Sequence, residues 1–260
     1  MEILIIKILI APFLIGLTTL AGRRYGHTIS GLLVGLPLTS GPIAFILALQ
    51  NGTTFSSASS KGILLGIISV GMFSLAYAWT AKRFNWISCL AAGWAAYFLV
   101  TFLLIGIDFN LYAAFLTVIV SLLLILFSFP RHTDNHLKIT TPAWDIPLRM
   151  IVATAFIIGL TYFSKKLGAH LSGLLSPFPV YGTIFAASTH CLYGTNATIK
   201  LLRGIVIGSF SFAAFFLVVG QFILSIGIGW TFFIAGLTAL ALQGAYIFLV
   251  LKRSTGNKFT

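Results

Sequence analysis

Two short groups of residues interrupt otherwise apolar stretches, and both carry side chains able to meet a ligand. The first is Pro37, Thr39, Ser40 and Gly41; the second is Pro179, Tyr181, Gly182 and Thr183. A proline inside a helix removes one N–H donor and clashes with the carbonyl four residues earlier. In lipid the freed backbone groups find no water, so they are tolerated only where protein covers them or they line a cavity. The half-helix that follows such a break offers unpaired N–H groups and a partial positive charge. Hydroxyls add donors and acceptors, and glycines allow close approach of a backbone or a solute. The chemistry this predicts is binding, not bond-making.

The elements that position these residues are duplicated. Gly26-His27-Thr28-Ile29-Ser30-Gly31-Leu32-Leu33 leads to Pro37, and Gly168-Ala169-His170-Leu171-Ser172-Gly173-Leu174-Leu175 leads to Pro179. Pro179 minus Pro37 gives an offset of 142, and the same offset pairs Ser30 with Ser172, Lys61 with Arg203 and Gly62 with Gly204 without a gap. Ser30 and Ser172 suit helix N-caps. Gly62-x-x-x-Gly66 and Gly204-x-x-x-Gly208 suit close packing of membrane helices.

Composition sets the environment. The chain has 260 residues, 58% hydrophobic and 8% charged, where a globular protein carries roughly 25% charged residues. Apolar runs reach the ~20 residues that cross a bilayer as a helix. The net charge of +12 would suggest nucleic acid in a soluble protein. Here basic residues sit at the ends of apolar runs, as in Arg23-Arg24, Lys82-Arg83, Lys165-Lys166 and Lys252-Arg253. They read as topology determinants and headgroup anchors, so lipid and not nucleic acid is the expected partner.

Spans are expected near residues 3–20, 30–50, 62–81, 86–107, 111–129, 148–163, 172–192, 204–225 and 229–250. The fold class is therefore an all-α polytopic membrane protein with about nine transmembrane helices. A hydroxyl-rich stretch, 51–60, is expected as a loop or short interfacial helix. Residues 1–129 form the first repeat plus a linking helix, 130–147 a polar cytoplasmic linker, and 148–260 the second repeat with a basic tail. With the N-terminus outside, only Lys7, Lys61, Lys165 and Lys166 lie on the outer side, and every other Lys and Arg is cytoplasmic. That bias predicts N-out and C-in in a bacterial inner membrane. Equivalent pairs, Arg23-Arg24 and Lys165-Lys166, then fall on opposite faces, which makes the repeats inverted. Trp86 and Trp230 align at an offset of 144 and would mark the fourth helix of each half.

Among ionisable groups, His190, late in the second broken helix, is the best placed for protonation or ligand binding. His27 and His170 precede the broken helices and fall at headgroup level, while Gln221 and Gln243 suit hydrogen bonds between helices. Glu2, Asp108, Asp134 and Asp145, all the acidic residues, lie at ends or in loops. Coupling to protons or sodium would therefore rest on histidine or backbone carbonyls. A facilitator fits equally well. There is no GxSxG, HExxH or phosphate-binding glycine loop, so neither an enzyme nor a cofactor is expected. His132 and His136 lie in the linker, and Cys89 and Cys191 have no CxxC spacing, so no metal is expected.

From Leu167 to about Val250 the chain resembles the small four-helix GlpM-type bacterial membrane proteins. Ser172-Gly173-Leu174-Leu175, Phe178-Pro179 and the step at Arg203-Gly204 carry the resemblance. The first half has Leu36-Pro37 in place of the Phe-Pro pair. The resemblance implies a fused, duplicated relative of a protein associated with exopolysaccharide production, working as an antiparallel dimer.

Inverted repeats with discontinuous helices are the architecture of many secondary transporters, with the substrate near the midplane. The expected function is a carrier or facilitator for a small or amphiphilic, lipid-like solute bound between the two breaks. The alternative is a non-transporting accessory subunit of an envelope or exopolysaccharide system. A homodimer through a small-residue helix face is a further expectation.

Overall fold

A computed structural model describes residues 24–37, 40–131 and 177–256, with the isolated positions 16, 20, 147 and 151. The spans expected near 3–20 and 148–163, and most of the 130–147 linker, lie outside the described residues. The described elements are all helical: α1 (His27–Val34), α2 (Ser40–Thr80), α3 (Trp86–Leu104), α4 (Leu111–Phe127), α5 (Val180–Ile226) and α6 (Ile228–Gly256). Among the described residues four helices are long and apolar enough to cross a membrane: Asn51–Thr80 in α2, α3, α5, and Ile228–Phe248 in α6; the shorter α4 is also apolar. The chain is an α-helical membrane protein.

Two positive-φ glycines divide the longest helices. Gly52 interrupts α2 at φ 85, ψ 173, and Gly194 interrupts α5 at φ 76, ψ −175. No side chain but hydrogen adopts this region cheaply. Gly194 minus Gly52 is 142, so the same backbone device recurs at the offset seen in the sequence. The hydroxyl-rich stretch after Gly52 is not a separate loop. It forms the first turns of the long arm of α2 that follows the kink, within Asn51–Thr80. At about 1.5 Å per residue that helix is roughly 45 Å long, against a hydrocarbon core of about 30 Å, so its polar first turns extend to the interface.

The long arms of α2 and α5 form the centre. Their most apolar stretches are 78% and 72% buried, against 22% for both α3 and α6, which present leucine and phenylalanine outward. The two arms run antiparallel. Ser57 Oγ donates to the Gly220 carbonyl at 3.2 Å near one end, and Thr195 Oγ1 donates to the Ala81 carbonyl at 2.9 Å near the other. Helix α4 lies alongside both. Trp79 Nε1 donates to the Ser128 carbonyl at 2.9 Å at its C-terminal end, while Leu111 at its N-terminal end packs on Gly220.

Asparagine starts α3 and α4, as the polar Arg83-Phe84-Asn85 and Asp108-Phe109-Asn110 separators suggest. Asn85 Oδ1 accepts from the Ser88 N–H at 3.0 Å, and Asn110 Oδ1 from the Ala113 N–H at 2.8 Å. Each cap satisfies an amide that lipid could not.

The inner faces of α3 and α6 share a register. Cys89, Gly93, Tyr97 and Thr101 are buried in α3, and their counterparts at the 142 offset, Thr231, Ala235, Ala239 and Gln243, are buried in α6. The starts of the two helices obey the same offset, since Ile228 minus Trp86 is 142. Trp86 and Trp230 therefore stand out of register, Trp230 falling opposite Ser88. Both tryptophans are exposed, as anchoring tryptophans at a membrane interface are.

Candidate functional site

The first break begins where α1 ends. Gly31 and Gly35 form a small-residue face that meets Gly204 and Gly208 of α5 backbone to backbone. A Cβ on Gly204 would stand 2.5 Å from the Thr28 carbonyl oxygen, and one on Gly35 would stand 2.8 Å from Gly208 Cα. The Gly204-x-x-x-Gly208 pair is thus a packing device, matched by Gly31-x-x-x-Gly35 across the seam. Residue numbers rise together on both sides, so α1 and this arm of α5 run parallel. The arm extends from the kink at Gly194 to Ile226, and Gly208 falls near its middle. The break therefore lies level with the middle of that arm.

Pro37 and Gly41 are buried, Ser40 is 1% exposed, and the Gly41 N–H donates to the Pro37 carbonyl at 2.8 Å. Thr39 lies outside the described residues. A Cβ on Gly41 would be 3.4 Å from Phe215 Cζ in α5.

The second group of candidate residues lies at the start of α5. Residues 172–176 are outside the described residues, and the structure takes up the chain at Pro177. Phe178, Val180, Tyr181 and Thr183 are buried, as are Pro179 and Gly182. The Thr183 N–H donates to the Pro179 carbonyl at 2.7 Å. A Cβ on Gly182 would be 3.6 Å from Phe73 Cε1 in α2 and 3.7 Å from Ile205 Cδ1. Phe215 minus Phe73 is 142, so each break is covered by the equivalent phenylalanine of the opposite central helix. Ile205 lies between the breaks, its carbonyl toward Gly35 and its side chain toward Gly182.

Helices α3 and α6 close the outer sides. Trp94 Nε1 donates to Thr183 Oγ1 at 3.1 Å, and Phe178 packs among Trp94, Tyr97 and Phe98. On the other side Phe232 of α6 meets Phe45 and Phe215, with ring centroids 5.1 and 5.9 Å away. The central and flanking helices are tied by equivalent polar pairs. Thr101 Oγ1 donates to Ser69 Oγ at 2.9 Å, and Ser211 Oγ donates to Gln243 Oε1 at 3.0 Å. Ser69 matches Ser211 and Thr101 matches Gln243, both at the 142 offset.

The histidines stand apart from the breaks. His190 is half-buried, with Nδ1 3.4 Å from the hydroxyl of fully buried Tyr77. From Pro179 to His190 the helix makes about three turns, roughly 16 Å of rise. The structure does not bring it to the other candidate residues. His27 packs edge-on against Tyr193 with centroids 4.6 Å apart, and His170 is outside the described residues. Gln243 bridges helices as its residue type suggests, whereas Gln221 is exposed.

Sequence reading alone passes over Phe73, Phe215 and the Ser69–Thr101 pair. The signal is there, because Phe and Ser are each identical at the 142 offset in otherwise variable apolar sequence. No group of three or more His, Cys, Asp or Glu able to hold a metal occurs among the described residues. No protein-family model, curated protein or solved structure matches the chain.

Proposed function

We propose that the chain consists of two inverted repeats and works as a carrier or facilitator in a bacterial cytoplasmic membrane. The N-terminus is outside, the C-terminus is cytoplasmic, and a small or amphiphilic solute passes the two breaks. In this reading Pro37, Thr39, Ser40 and Gly41 face Pro179, Tyr181, Gly182 and Thr183 across the midplane, and α4 is the extra helix that inverts the second half. The observation that carries it is the pair of breaks at matching positions of two antiparallel central helices, each covered by the other half's phenylalanine. Such symmetry gives two equivalent closures, one toward each face, which is the mechanical requirement of alternating access. Phe73 and Phe215 would be the movable covers, with small hydroxyl and glycine surfaces beneath them.

The test is passage of solutes into lipid vesicles holding the purified full chain. Swelling in gradients of neutral, anionic and lipid-like solutes, faster than in empty vesicles for at least one class, supports the proposal. Rates equal to those of empty vesicles for every class refute it.

A second reading draws on the same observation. Because both breaks are packed shut by rings, the chain also fits a non-transporting accessory subunit of an envelope or exopolysaccharide system, the role that the GlpM resemblance implies. Its small-residue stretch on α6, where Gly229, Gly236 and Gly244 have nothing within 4 Å of an added Cβ, would then meet a partner or a second copy.

A further inference from the structure

Among the described residues two buried side-chain polar atoms have no hydrogen-bond partner, Ser56 Oγ and Gln243 Nε2. Orphaned buried donors are rare, because each forfeits the hydrogen bonds it had in water. Ser56 has a local remedy. Its counterpart in the second half, Thr198, donates to the Gly194 carbonyl at 2.9 Å, and Ser56 can turn to the Gly52 carbonyl in the same way. Gln243 has none. Its Oε1 already accepts from Ser211, and exchanging the two ends of the amide leaves the other end unused instead.

The position of this amide gives it a purpose. Gly208, Ser211 and Phe215 lie at i, i+3 and i+7 on α5, a spacing that puts them on one stripe of a helix. Gly208 touches Gly35 before the first break, and Phe215 covers Gly41 after it. Ser211, and the Gln243 amide it holds, therefore stand level with the break. At the matching place in the other half the polar pair is Thr101 and Ser69, which has no leftover amide. Of these two equivalent places, only the one beside the first break carries an unused donor.

We infer that Gln243, steadied by Ser211, is a substrate-binding residue at the first break, and that the substrate is a neutral solute presenting a hydroxyl or carbonyl oxygen. The described buried polar side chains are serines, threonines, the tyrosines Tyr77, Tyr97 and Tyr181, and this one glutamine, with no charged side chain among them. An ion taken there would lose its hydration with no opposite charge to replace it. A hydroxyl both donates and accepts, and so fits the amide in either orientation.

The inference rests on the carrier reading, and its test separates the two. Vesicles holding the full chain are compared in glycerol, erythritol and acetate gradients, for the unaltered protein, Gln243→Met and Gln243→Asn. Thr117→Val, on α4 with its hydroxyl bonded to the Ala113 carbonyl, serves as a control. Polyol entry faster than in empty vesicles is expected. Gln243→Met, which keeps length and loses the amide, should slow it about three- to ten-fold, the worth of one buried hydrogen bond. Gln243→Asn should slow it too, by drawing the amide back one methylene, and Thr117→Val should not. Polyol entry untouched by both Gln243 variants overturns the inference alone. Entry of acetate but of neither polyol overturns the substrate class. No entry of any probe counts against the carrier reading itself, and the inference goes with it.

Discussion

At Gly52 and Gly194 the backbone turns through a region only glycine occupies easily, and the cost of any other residue can be isolated there. Nothing lies within 4 Å of a Cβ added at either position. Alanine would meet no neighbour, and its whole effect would be conformational. Gly52→Ala and Gly194→Ala should each lower stability by about 1–3 kcal/mol, and by similar amounts. Equilibrium unfolding in detergent checks this, and a cost at one site without the other would separate the two kinks. The phenylalanines at the breaks behave differently. Phe73→Ala removes a ring packed on Gly182 and Gly93, and the cavity should cost about 3–5 kcal/mol. In the carrier reading the same change also leaves the second break uncovered, so solute entry should rise as stability falls.

Between helices, close approach and not hydrophobicity decides the packing, because lipid is as apolar as leucine. A side chain on Gly204 would collide with the Thr28 carbonyl, an atom fixed in α1 that cannot swing aside. Gly204→Val should therefore destabilise by about 1–3 kcal/mol or more, whereas Gly236→Val, with open space around it on α6, should stay within about 0.5 kcal/mol. Thermal unfolding of the two variants side by side reads the difference. The antiparallel centre is testable by distance. With Cys89 and Cys191 replaced, cysteine pairs at Ser57 with Gly220 and at Ala81 with Thr195 should join through a short bifunctional reagent. A pair at Ser57 with Thr195 should not, since those residues sit at opposite ends of the centre.

Much of this molecule is legible as sequence because its two strongest signals are crude ones. Long apolar runs declare helices in a membrane. A repeated Gly, Ser and Pro pattern at one offset marks α1, the breaks and the seam at Gly204-x-x-x-Gly208. Finer features escape for physical reasons. The turn at Gly52 carries no proline, and the serines after it read as loop because each competes for backbone hydrogen bonds. In the fold they do so without ending the helix, as when Ser60 Oγ donates to the Ser56 carbonyl at 2.8 Å. The displacement of Trp230 from the register of Trp86 is invisible from tryptophans alone, since interfacial anchors tolerate displacement that a buried face does not. His190 looks like a site residue by its rarity in apolar sequence, yet helix rise carries it away from the break to Tyr77. Partners across the centre, such as Phe215 on Gly41, cannot be read without knowing that the central helices are antiparallel.

In the carrier reading the whole molecule opens its two breaks alternately to the two sides of the membrane. The most direct measurement places single cysteines at Ser40 and at Gly182, with Cys89 and exposed Cys191 replaced, and labels each with a membrane-impermeant thiol reagent from either side. Both positions are buried in this structure, so any labelling reports an opened state. Alternating access requires labelling from one side at a time, with a preference that shifts when a transported solute is added. Protection of both cysteines from both sides, with and without solute, would contradict it and leave a closed bundle whose breaks serve only to pack.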